Sequence, residues 1–129
     1  MSTSPQQQQV VTNKDSNTNV ITDYLQAMQT ETNPSATYTN LTKWILTKLS
    51  RFHKDKPFTS YKRNDIIAFL NSFRKSDDQD PMHKWVGTYN LHLICVTRFF
   101  KWLYHPDISP RNRPKPEVVE NIPQIKRKE

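Results

Sequence analysis

No stretch limits the fold of this chain as severely as Thr88 to Tyr104, which reads TYNLHLICVTRFFKWLY. Taken with Val86, the residues Tyr89, Leu93, Val96, Phe100 and Leu103 recur at steps of three and four, so six apolar side chains share one helical face. A second apolar row, Cys95, Phe99 and Trp102, lies beside the first. An arc that wide does not suit a lone surface helix, and it predicts a central helix wrapped by the other helices of a small bundle. The remaining face carries Lys84, Thr88, Arg98, Lys101 and His105, which predicts an anionic partner on the uncovered side.

The earlier chain supplies the wrapping. Val20 or Ile21, Tyr24 or Leu25, and Met28 stand at helical intervals and predict a first helix from about Asn19 to Thr30. Asn33 and Pro34 suit the cap and first position of a second helix, expected from about Ser35 to His53. Its buried stripe is expected to be Tyr38, Leu41, Ile45, Leu49 and Phe52. After a break at Lys54 to Pro57, a third helix is expected from about Lys62 to Arg74, with Ile66, Phe69, Leu70 and Phe73 inward and Asp65 in the first turn. Asp80 and Pro81 suit a short turn or the start of the last helix, and Gly87, the only glycine, suits a bend or a close approach to a ligand. No alternation of period two is long enough for a strand, so the expected fold is all-α, a compact bundle of four or five helices over residues 19–105. Residues 1–18 are rich in Gln, Asn, Ser and Thr and are expected to form a disordered tail. Residues 106–129 hold five prolines and no apolar period, and are expected to form an extended, basic interdomain linker.

Charge then narrows the function. The net charge is +7, and twelve of the nineteen Lys and Arg but only five of the twelve Asp and Glu fall between residues 35 and 105. A basic folded core, as opposed to a basic tail, favours nucleic acid over an acidic protein or a membrane surface. The polar side of the second helix shows Thr37, Asn40, Lys43, Thr47, Lys48 and Arg51, small hydrogen-bonding residues followed by cations, as suits a helix lying against a duplex. One cysteine excludes an internal disulfide, and no apolar run approaches the roughly 20 residues of a membrane span, so a soluble, cytoplasmic, DNA-associated protein is expected.

Chemistry is not expected of this stretch. His53, His83, His92 and His105 lack the spacing of a zinc site, and the cluster Asp77, Asp78 and Asp80 reads as a turn. With one glycine there is no phosphate-cradling loop. No catalytic residue, metal, cofactor or small-molecule substrate is expected; Trp102 is expected to pack in or beside the core, and for Trp44 and Trp85 core packing is favoured over half-exposed rings able to stack on the bases of a single strand.

Ser35-Ala36-Thr37-Tyr38, Lys62-Arg63-Asn64-Asp65-Ile66-Ile67 and Thr88-Tyr89-Asn90 leading into Arg98-Phe99-Phe100-Lys101-Trp102-Leu103 follow one another in an order that resembles the core-binding domain of tyrosine recombinases. This is the N-terminal, SAM-like domain of phage integrases, and the chain is most similar to its archaeal members. The likeness spans roughly residues 20–105. It implies that helices cross the major groove of duplex DNA, forming half of a clamp whose other half is a C-terminal catalytic domain carrying the nucleophilic tyrosine. It further implies that the natural protein is longer, that residues 113–129 are the interdomain linker, and that other recombinase subunits assemble on the same DNA. Carried over by position, Thr37, Asn40, Lys43 and Thr88 face the DNA, and Asn90 joins Thr37, Asn40 and Thr88 as a candidate for base contacts. Many members have a polar residue where this chain has Leu91, which either meets a thymine methyl or packs on another helix. None of Tyr24, Tyr38, Tyr61, Tyr89 and Tyr104 is assigned catalysis.

Two other functions compete. A helical interaction module could dock an acidic protein on the same basic face. A helix-turn-helix regulator is the weaker option, since no short glycine-containing turn joins two helices of suitable size.

Overall fold

The computed structural model describes residues 14–127 and holds, among them, four α-helices and no strand. The helices are α1 (Lys14–Glu31), α2 (Ala36–Phe52), α3 (Arg63–Asn71) and α4 (Lys84–Tyr104), with three short 3-10 turns at Phe58–Ser60, Pro110–Asn112 and Glu117–Val119. The all-α bundle expected from periodicity is therefore what the chain forms. The disorder expected for the N-terminal tail concerns, over residues 1–13, positions outside those described.

Several boundaries differ from expectation, each for a local reason. α1 begins five residues earlier than expected and includes Asn17, which is buried. The Asn17 amide donates to Ser50 Oγ (2.8 Å) and to the Lys56 carbonyl (2.7 Å), and its oxygen accepts from Phe58 N–H (3.1 Å). One polar residue of the presumed tail thus ties α1 to the end of α2 and to the turn that follows. Asn33 does not cap α2. It adopts a left-handed φ of 46° at the end of α1, where its N–H and that of Thr32 both reach the Met28 carbonyl. Ser35 takes the cap instead, accepting from Tyr38 N–H at 3.1 Å. At α3, Asp65 accepts from Lys62 N–H (2.8 Å) and pairs with Lys56 (2.6 Å). Burial raises the Asp65 pKa, but these two donors outweigh it and hold the carboxyl below its ordinary range.

α1 and α2 run antiparallel, as the contacts Asn17–Ser50 and Gln29–Thr39 at opposite ends show. α4 lies across both. Ile45, Leu46, Leu49, Ile66, Leu70, Val96, Phe99 and Phe100 are completely buried, and Phe58 inserts between the helices with its ring 4.8 Å from that of Phe99. The expected rows of α4 are mostly inward, with Leu103 and Trp102 half-buried at the end. Phe52 departs from its stripe: it is 44 % exposed at the last turn of α2, edge-on to Phe69 at 5.5 Å.

The largest difference is at the C-terminus. Residues 106–127 are mostly extended, as expected, but they strap the bundle where a tether would hang free. Val118, Val119 and Ile122 are buried in the core. Arg63 donates to the carbonyls of Glu120 and Asn121, both at 2.7 Å. Arg113, only 6 % exposed, donates to the carbonyls of His105 (2.9 Å) and Pro106 (3.2 Å) and pairs with Glu31 at 2.6 Å. The folded unit therefore extends well past residue 105.

Candidate nucleic-acid interface

α2 and α4 together hold six cations, Lys43, Lys48, Arg51, Lys84, Arg98 and Lys101, and not one Asp or Glu. Among the described residues none of the six pairs with a carboxylate. The acids sit elsewhere, on α1, α3 and the connecting loops.

On α2, Thr37, Asn40, Trp44, Thr47 and Arg51 recur at steps of three and four along one solvent-facing stripe, with Thr47 partly covered. Lys43 lies on the flank toward α1, where it lines a groove with Thr47, Arg51, Thr18 and Thr22, and with Asp55 from the loop after α2, which forms no ion pair with it. Lys48 lies on the opposite flank and reaches α4. On α4, Lys84, Leu91 and Arg98 repeat every seven residues on the exposed side, and Thr88 is exposed one turn before His92. Leu91 is 37 % exposed, at the surface.

The seam between the two helices is defined atom by atom. The Lys48 Nζ lies 2.9 Å from His92 Nε2 and 3.4 Å from the centre of the Trp44 ring. His92 Nδ1 lies 2.7 Å from the Thr88 carbonyl, which accepts only, so Nδ1 carries the proton and Nε2 accepts from the Lys48 ammonium. Burial lowers the His92 pKa; the Thr88 carbonyl pulls the other way, and the Lys48 charge lowers it further. Burial also lowers the pKa of Lys48. At the other end of the seam Arg98 donates to the Tyr38 hydroxyl at 2.6 Å, which holds its guanidinium across the joint. Burial is the main reason that the Tyr38 pKa rises.

The expected site residues thus divide. Thr37, Asn40, Lys43, Thr47, Lys48, Arg51, Lys84, Thr88 and Arg98 fall on the outer faces of α2 and α4 or their shared seam. Lys101 is half-buried in a separate groove with Arg98, Tyr38, Glu31 and Arg113. Asn90 faces elsewhere: its amide donates to the Ile125 carbonyl (2.9 Å) and accepts from Ile125 N–H (2.8 Å). Two residues along a helix turn the side chain about 200° from Thr88, and the C-terminal strap occupies that side. Gly87 lies inside α4 without a positive φ, so its backbone conformation does not require a glycine. A Cβ placed there would stand 3.6 Å from Arg127 Nη2, so the basic end of the strap lies against α4.

Of the two readings open to Trp44, the structure takes the less favoured one: it is 57 % exposed. Its spacing from Asn40 and Thr47 already put it on the polar stripe. Trp102 packs on Tyr24 at 5.2 Å as expected, and Trp85 is half-buried against Tyr89 and the Arg74 guanidinium. Among the described residues no three His, Cys, Asp or Glu gather where they could hold a metal ion. No helix there is long and apolar enough to cross a membrane.

Comparison of the chain with protein-family models, with curated proteins and with solved structures found no match.

Proposed function

We propose that this chain is a duplex-DNA-binding domain, the core-binding half of a site-specific tyrosine recombinase or integrase, with α2 and α4 turned toward the DNA. One observation carries the proposal: two adjoining helices carry six cations and no carboxylate, five of the six on their outer faces or shared seam, while the acids of the described chain lie on other elements. Cations in such an array replace the counterions of phosphates, and small polar residues between them, Thr37, Asn40 and Thr88, can approach groove edges. The order of the motifs shared with the recombinase core-binding domain supplies the more specific part of the proposal. On that reading the chain itself carries out no chemistry. It wraps one side of the duplex and positions a catalytic domain of the same protein, with further subunits on the DNA, and works in the cytoplasm where that DNA lies.

The test is fluorescence anisotropy of a labelled random duplex, titrated at several salt concentrations with the protein and with a Lys43→Glu, Lys84→Glu double variant. Saturable binding that weakens steeply with salt and vanishes in the folded double variant supports the proposal. Hydroxyl-radical footprints should then protect one side of the duplex only. A folded protein that ignores the duplex at low salt, yet binds a polyacidic peptide through the same lysines, would transfer the face to an acidic protein partner.

A further inference from the structure

Trp44 is the most exposed aromatic ring among the described residues, although its neighbours Ile45 and Leu46 on α2 are completely buried. It is also held. Lys48, one turn on, sets its ammonium 3.4 Å from the ring centre, and His92 stands edge-on at 6.1 Å. His92 is fixed in turn by its bond to the Thr88 carbonyl and by Phe73, whose ring lies 4.3 Å away. One face of the indole is therefore covered by a cation whose position is set by α4, and the exposed area belongs to the opposite face and the rim.

From this arrangement, and resting on the reading of α2 and α4 as a nucleic-acid surface, we infer that Trp44 is a stacking platform for an unstacked nucleobase. The ligand class is duplex DNA that contains, or is opened to give, an unpaired base. Three physical reasons favour a base. The indole lies on a helix without carboxylates, between Asn40 and Thr47 and beside Lys43 and Arg51, so phosphates flanking a base find cations. Every base offers a π-face, and stacking on an aromatic side chain tolerates any sequence. The ammonium on the inner face draws π-density inward, which weakens the outer face for a second cation and suits it to an electron-rich purine. In an intact duplex the base faces are hidden within the stack, so Trp44 distinguishes opened from closed DNA where the surrounding cations do not.

The experiment compares two labelled duplexes of one sequence, one fully paired and one with a short unpaired stretch in one strand, binding to the wild-type protein, Trp44→Ala and Trp44→Phe. Thermal melting by circular dichroism checks that each variant folds; an exposed ring makes retention of the fold the expected result. The wild type should prefer the opened duplex by about tenfold, Trp44→Ala should abolish that preference while binding the paired duplex within about twofold of wild type, and Trp44→Phe should keep part of it. Salt-sensitive binding of the paired duplex with no preference for the opened one overturns the platform alone. So does a preference that survives in Trp44→Ala. Failure of the wild type to bind either DNA overturns both the platform and the DNA-binding reading beneath it.

Discussion

Two sets of cations in this molecule have opposite fates. Arg63, Arg113 and Lys56 direct their donors to the chain's own oxygens, at Glu120 and Asn121, at His105, Pro106 and Glu31, and at Asp65. Lys43, Arg51, Lys84 and Lys101 form no ion pair among the described residues, although Asp55 and Glu31 line the grooves that three of them border. A high net charge alone therefore does not locate an interface. The informative quantity is how many cationic donors the fold has left uncommitted, and on which elements.

Removing the strap altogether is the most severe way to break this comparison. A chain ending at residue 116 loses Val118, Val119 and Ile122, each worth about 1.5–3 kcal/mol when buried, against a total stability of roughly 5–15 kcal/mol for a typical domain. It should show no cooperative thermal transition by circular dichroism; a transition within a few degrees of the full chain would reduce the strap to a passenger.

Single substitutions then separate the two sets. Arg113→Ala strands a Glu31 side chain that keeps a quarter of its surface exposed, so the loss should be about 2 kcal/mol, below the roughly 3–5 of a fully buried pair. It should lower the melting temperature and leave the salt dependence of DNA binding unchanged. Lys84→Ala should do the reverse, keeping stability within about 0.5 kcal/mol and reducing the salt slope by about one phosphate contact. If both variants changed the same observable, the division between structural and available cations would not hold.

Asn90 tests whether a residue expected on the DNA belongs to the strap. Asn90→Ala deletes both bonds to Ile125 and should cost about 1–2 kcal/mol, with amide exchange rising at Ile125 and Lys126 but not within α2. The smallest effect concerns pH. The unfolded chain protonates His92 below its ordinary pKa of 6.5, while the folded chain resists, so this contribution is complete above 6.5 and declines as pH falls toward the lowered folded value. Between about pH 7.5 and 5.5 the melting temperature should fall more steeply in the wild type than in His92→Phe. Parallel slopes would show that the seam does not depend on a neutral imidazole.

Much of the bundle was legible because helical period and burial are the same fact seen twice: the rows through Tyr89, Leu93, Val96 and Phe100 and through Ile66, Phe69 and Leu70 are buried where their spacing put them. The polar stripe Thr37, Asn40, Thr47 and Arg51 was legible for the same reason. The strap was not. Val118, Val119 and Ile122 lie among prolines in an irregular segment, so no repeat announced their burial. Asn17 was missed because a buried polar residue is recognised by its partners, Ser50, Lys56 and Phe58, which are more than thirty residues away in sequence. For Trp44, core packing was favoured over exposure because residue type was weighed above position. Its spacing had already assigned it to the wet side of α2.

The strap also has a bearing on synthesis. α3 has only nine residues, and Arg63 at its start is anchored by carbonyls that lie 57 and 58 positions later in the chain. A helix that short is marginal without tertiary support. On the ribosome, α1, α2 and α4 can emerge and meet while one side of the core still lacks Val118, Val119 and Ile122. In chain order the strap is thus the last element the core receives, and until it docks the central helix keeps one apolar side without its cover.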